Sequence, residues 1–298
     1  MTKTTICLSL ALCLSAAHLS ADDQAAGESS DGDRAYRLQY TFSPGEVVNC
    51  TVTHLVTVET KIRGVTETAK TRSVSTKTWR IEDVADNGNI TFTYTVEDAK
   101  MWQQLTGRQE IRYDSTSDEE PPAEYKHVAD SVGKPMATVT INRAGKIVGR
   151  ENARPQFNPG IGDLTVPLPS AAIRVGQQWA TEGEVVVRLP DQRVKRIKTR
   201  QVYKLAKVQT GIATITVQTQ IITPVNDPVV QSQLVQRVKR GEVKFDIDAG
   251  RVRSQQMDID ETVIGFNGPE SVMKYLARLT EENSDATNVA SSSRDSAR

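Results

Sequence analysis

Histidine and cysteine are scarce in this 298-residue chain, which holds three of each. His18, Cys7 and Cys13 fall in or beside one N-terminal apolar stretch, so Cys50, His54 and His127 are what the rest of the chain can use. There is no HExxH, no CxxC and no paired-histidine spacing, which argues against a transition-metal centre or a Ser/His triad. A GxSxG elbow and a phosphate-binding loop are missing too, and Gly160-Ile161-Gly162 is a bare G-x-G with no strand before it. No cofactor and no metal is expected. Aromatic residues make up 5% of the chain, too few to interleave a basic patch as in nucleic-acid binders. Neither sign of charge dominates, with 37 basic and 37 acidic residues, so the overall charge selects no nucleic acid and no anionic membrane.

Long apolar runs are absent except for Ile6 to Ala17, preceded by Lys3 and too short for a permanent membrane span. It reads as a secretory signal peptide over residues 1–21, cut after Ala21 with Leu19 two residues before it. Leu12 precedes Cys13 and Cys7 comes too early, so a lipoprotein anchor is not expected. The expected destination is periplasmic or extracellular, with no transmembrane segment after cleavage. Cys50 would then be alone, leaving no intramolecular disulfide, and its place on an apolar strand face favours burial.

What remains is rich in Thr and Val, and therefore β. Residues 22–35 and 283–298 are polar, low-complexity segments expected to be a disordered linker and a disordered tail. Between them, over 36–282, one β-rich domain is legible. Tyr36 to Phe42 alternates and is expected to be a strand. A turn at Ser43-Pro44-Gly45 leads into a long strand with Val48, Cys50, Val52, His54, Val56 and Val58 on one face. Asp86-Asn87-Gly88 is a hairpin signal into Ile90, Phe92, Tyr94 and Val96. Ala123 to Val132 has helical spacing closed by Gly133, and Asn142-Arg143-Ala144-Gly145 turns a compact hairpin.

Residues 170–265 repeat the order of residues 36–152. Arg174-Val175-Gly176-Gln177 echoes Pro44-Gly45-Glu46, and Tyr203, Leu205 and Val208 match Trp79, Ile81 and Val84. Ala213, Ile215 and Val217 match Ile90, Phe92 and Tyr94. Asp227-Pro228 starts a helix expected over Val229 to Arg240 with Gly241 ending it, and Asp248-Ala249-Gly250 turns the second hairpin. The fold class is thus mainly β, a duplicated β-β-β-α-β-β unit. One such unit buries only one face, so two are expected to share a core as a curved antiparallel sheet or half barrel, with helices on the concave face. Over 270–281 the alternation Met273, Tyr275, Ala277, Leu279 favours a C-terminal strand over the helix that propensity suggests.

The blocks YDSTSDEEPPAEY, KPMATVTINRAGKIVGRE, AIRVGQQW and GEVKFDIDAGRV resemble those of uncharacterised secreted proteins of planctomycete-type bacteria. That resemblance covers most of the expected mature chain and implies export, but no assigned activity and no functional residues. In shape alone, helices under a half barrel are similar to LolA-type periplasmic lipoprotein and lipid carriers, and fold does not fix function.

Two residue sets are candidates for contact with a partner. Val52, His54, Val56, Phe92 and Tyr94 share an expected concave face and could enclose a lipid or other apolar ligand. Arg196, Lys198, Arg200 and Lys204 alternate onto one face of a basic strand, with Arg193, Lys195 and Lys207 on the other; charge on both faces suggests an exposed or edge strand, or a surface for an anionic envelope component. Asp246-x-Asp248-x-Gly250 resembles the opening of a calcium loop but lacks the closing glutamate, and it sits where a hairpin turn wants Asp. Asp258 and Asp260 read as a solvated strand face. Three functions are compatible with these residues, in order of preference: a non-catalytic carrier or binding module for an apolar ligand, a structural or protein-interaction module with a filled core, and a hydrolase.

Overall fold

The computed structural model describes residues 34–154, 164–189 and 192–284. The first half comprises β1 (Ala35–Tyr36), β2 (Val47–Ile62), β3 (Val65–Val84), β4 (Ile90–Leu105), β5 (Ile111–Asp114), a 3-10 turn (Ala123–Tyr125) running into α1 (Lys126–Ala129), then β6 (Pro135–Ile141) and β7 (Ile147–Glu151). The second half comprises β8 (Ile173–Arg174), β9 (Gln178–Arg188), β10 (Val194–Gln209), β11 (Ile212–Ile221), α2 (Pro228–Leu234), a 3-10 turn (Val235–Arg237), β12 (Arg240–Asp246), β13 (Arg251–Ile264) and β14 (Val272–Asn283). Apart from the small β1–β8 pair, the strands form one antiparallel sheet in the order β7-β6-β4-β3-β2-β14-β13-β12-β11-β10-β9, with β5 added to β4. Each half is a meander, and β14 joins them by pairing with β2 along its length.

The two halves share a turn pattern and a bulge. Gly45 N–H donates to Ile81 O and Ile81 N–H to Glu46 O, while Gly176 N–H donates to Leu205 O and Leu205 N–H to Gln177 O. The register slips between Ile81 and Asp83 on β3, and between Leu205 and Lys207 on β10. Such bulges bend a strand and strengthen its twist, so both halves bend at the same point.

One face of the sheet carries the core, a continuous cluster that draws Trp79, Phe92 and Ile141 from one half and Tyr203, Ile215 and Phe245 from the other. Both helical segments lie on that face. Tyr125 and Val128 pack on Ala99 and Met101, and Val230 and Leu234 pack on Val187 and Ile197. Asp227 caps α2 by accepting from Val229 N–H at 2.8 Å, with Pro228 in the first turn.

Residues 37–42 differ from the expected strand. Tyr36, Leu38, Tyr40 and Phe42 are buried as the alternation requires, but among the described residues the one ladder partner is β8, opposite Ala35 and Tyr36. Beyond that the segment is a strap held by turns. Tyr40 N–H donates to Arg143 O at 2.7 Å, in the turn between β6 and β7, and Thr41 N–H to Gly250 O at 2.9 Å, in the turn between β12 and β13. On the sheet path β6 and β13 lie five strand steps apart, roughly 24 Å in a flat sheet at about 4.8 Å per step. Adjacent residues of the strap reach both, so the sheet bends toward the strap at this end, as the expected curved sheet requires.

The second helix is shorter than expected. Its regular part ends at Leu234, and Gly241 lies inside β12, where a Cβ would run into the Gln256 carbonyl and Met257. Gly241 is a close-approach position between strands rather than a helix stop.

Candidate functional site

The core-bearing face of the sheet carries a polar island where β3, β2, β14 and β13 run side by side. On β2 the inward residues run Cys50, Val52, His54, Val56, and the register places Lys77, Ser75 and Ser73 of β3 on one side and Asn283, Glu281 and Leu279 of β14 on the other. Lys77 reaches across β2 to Glu281, Nζ to Oε2 2.7 Å, with both side chains nearly buried. Gln255 of β13 donates its amide N–H to the same carboxylate oxygen at 2.9 Å. Burial alone would lower the Lys77 pKa, but the Glu281 charge and hydrogen bond hold it above the ordinary lysine value. The island is a satisfied structural cluster that ties β3, β14 and β13 together across the sheet centre.

His54 is 5% exposed, and its Nε2 has no hydrogen-bond partner. Burial lowers its pKa to about 4, so the ring is neutral at physiological pH. Val52, His54, Val56, Phe92 and Tyr94 do share the inner face, but as packed side chains: Phe92 stacks on Trp79 with ring centroids 4.3 Å apart. The strap closes over the neighbouring region. Tyr40 lies between Phe42 and Phe245, accepts from Val166 N–H at 3.0 Å, and has its pKa raised by that burial. Between the strap, β2 and β13 an apolar-walled cavity of about 30 Å³ is left, lined by Tyr40, Phe42, Cys50, Trp79 and Glu281 among others. That volume suits about one water molecule.

The basic strand is β10, which lies one strand in from the edge, the edge being β9. Arg196, Lys198, Arg200 and Lys204 are exposed on the outer face, but β9 sets carboxylates against the two arginines. Arg196 pairs with Glu184 at 2.6 Å and Arg200 with Glu182 at 3.4 Å. Sequence spacing missed this neutralisation because the acids lie a hairpin away. Lys207 also departs from the expected face: the bulge after Leu205 shifts the alternation, so Lys207 faces Thr214 rather than continuing the inward row of Tyr203 and Leu205. The Asp246-x-Asp248-x-Gly250 segment is a turn in which Asp246 accepts from Ala249 N–H at 2.8 Å. Among the described residues no cluster of His, Cys, Asp or Glu is placed to hold a metal ion. Gly160-Ile161-Gly162 lies outside the described residues.

No protein-family model and no curated protein sequence matches the chain. Among solved structures, a lipovitellin chain, from work on lipid–protein interactions, aligns at 14% identity and a TM-score of 0.47, covering 82% of this chain. DynF of the dynemicin pathway of Micromonospora chersina aligns at 7% identity and a TM-score of 0.22 over 84% of this chain and 85% of its own. OccK11 of Pseudomonas aeruginosa aligns at 7% identity and a TM-score of 0.16, over 84% of this chain and 99% of its own. The chain spans about a quarter of the lipovitellin chain, covering 25% of it. These likenesses are too loose to carry a function.

Proposed function

We propose that the protein is an exported, non-catalytic interaction module of the cell envelope, with an interior filled by its own side chains. Export is supported by the apolar stretch Ile6 to Ala17 and by the resemblance of the four sequence blocks to secreted proteins. The observation that carries the filled-core reading is the strap. It places Tyr36, Leu38, Tyr40 and Phe42 where an apolar ligand would sit and leaves about 30 Å³, whereas a site for a lipid-sized ligand needs several hundred. A non-catalytic role is supported by His54, neutral among packed strand residues.

Native mass spectrometry of protein purified without detergent tests this. The expected spectrum shows the polypeptide mass alone. A lipid present in stoichiometric amount, lost on gentle activation, would overturn the filled-core reading and restore that of an apolar-ligand carrier.

A further inference from the structure

The register of the sheet aligns arginines that are far apart in sequence. Following paired residues across the outer face gives Val202, Gln218, Arg240, Asp258, Arg278, Leu55, Arg72, Trp102 and Arg112, an unbroken row on nine strands from β10 to β5. The arginines occupy β12, β14, β3 and β5, every second strand, and are therefore about 9–10 Å apart at the usual strand spacing. All four are exposed. Asp258 binds Arg278 at 2.6 Å and Glu110 binds Arg112 at 2.8 Å, while among the described residues Arg72 and Arg240 have no ion pair within 4.0 Å, Arg240 standing in the field of Asp258 and Glu261. The next row toward the strap end, Lys204, Thr216, Glu242, Gln256, Thr280, Thr53, Val74, Lys100 and Asp114, balances two cations with two acids. Positive charge is thus in excess along one line. At its β10–β13 end, Val202, Gln218, Arg240 and Asp258 also line an outer-face trough of about 560 Å³ that includes Lys204.

We propose that this row is a binding surface for a linear acidic polysaccharide, laid across the strands with its carboxylates on the arginines. Guanidinium groups match carboxylates geometrically and keep their charge at every physiological pH. Their separation is comparable to the disaccharide repeat of an extended uronic-acid chain. The intervening Leu55, 42% exposed, and half-buried Trp102 offer apolar surface to sugar rings between charged contacts. A row one side chain wide suits a thread of charge, whereas a membrane surface would need a patch extended in two dimensions. The choice of polysaccharide over nucleic acid rests on the reading of the protein as exported.

The test is binding of the full chain to immobilised polygalacturonate, with neutral dextran, vesicles containing phosphatidylglycerol and double-stranded DNA as comparators. Polygalacturonate is expected to bind while dextran and vesicles do not, and binding is expected to vanish between about 0.15 M and about 1 M salt, where the screening length falls from about 8 to about 3 Å. Arg72→Gln with Arg240→Gln, both exposed and outside the core, should weaken binding by at least about tenfold without changing the thermal midpoint, and Lys198→Gln should change it by less than about twofold. Equal binding to dextran, preference for vesicles or DNA, or indifference to the arginine substitutions would each overturn the proposal. Fractionation of cells making the full chain reports export separately. Retention inside the cell with arginine-dependent polygalacturonate binding overturns the export reading and leaves the row; export without binding overturns the row.

Discussion

His54 is buried on the inner face of β2 with one ring nitrogen unpartnered, and charging it there costs solvation that nothing nearby returns. Burial holds its pKa at about 4 in the fold, against about 6.5 in an unfolded chain. The sign follows: above pH 6.5 both states hold a neutral ring and the histidine costs nothing. Between about 6.5 and about 4 the unfolded chain takes up a proton that the fold refuses, so stability falls as pH falls through this window, by up to about 3 kcal/mol. Lys77 and Glu281, on the strands that flank β2, are paired with each other across it. His54→Leu should be at least as stable at pH 7, because it replaces an unsatisfied polar atom by an apolar one, and should lose much of the acid-side decline. Thermal midpoints of both proteins from pH 7.5 to about 4 would show this. Parallel curves would assign the decline to other groups.

Strands, turns and the order of the two halves were legible because alternation and turn residues are local signals. Misread segments were those whose partner is distant. The strap alternates like a strand, but its backbone bonds go to two turns about a hundred and two hundred residues downstream. Lys207 changes face because of a bulge that periodicity cannot reveal. The strap also makes the two hairpin glycines its contact points. Gly145 and Gly250 have φ of +75° and +62°, and a Cβ would stand 2.5 Å from the Tyr40 ring or 2.6 Å from Thr41. Gly176, at φ +89°, has nothing within 4 Å. Gly176→Ala should therefore cost backbone strain alone, about 1 kcal/mol, whereas Gly145→Ala and Gly250→Ala should cost about 2–4 kcal/mol each because the strap must also move. Urea titration measures the difference. Three equal values would mean that the strap does not press on the turns.

At the scale of the whole molecule, the similar halves invite the view that each is a domain, whereas the alternation and turn signals lead to two units expected to share one core. The packing decides how far each half depends on the other. The core cluster is continuous across both halves, and the strap, part of the first half, packs Tyr40 against Phe245 of the second. The seam is the β14–β2 pair, in register from Val272 opposite Lys61 to Asn283 opposite Cys50, and Glu281 of the second half is the counterion of Lys77 in the first. A second half cut out as residues 170–284 would expose β14 as a long unpaired edge, leave Glu281 without its ammonium partner and uncover Phe245. Its remaining apolar contacts would not offset the conformational entropy of ordering it. The intact chain should therefore unfold in one transition, with near-ultraviolet dichroism and tryptophan fluorescence coincident in urea, and the isolated half should lack dispersed amide resonances and aggregate. A cooperatively folded 170–284 fragment would show that the second half is a self-sufficient domain. Loss of structure in the fragment, alongside a single transition in the parent, would mean that the two halves complete a single core between them.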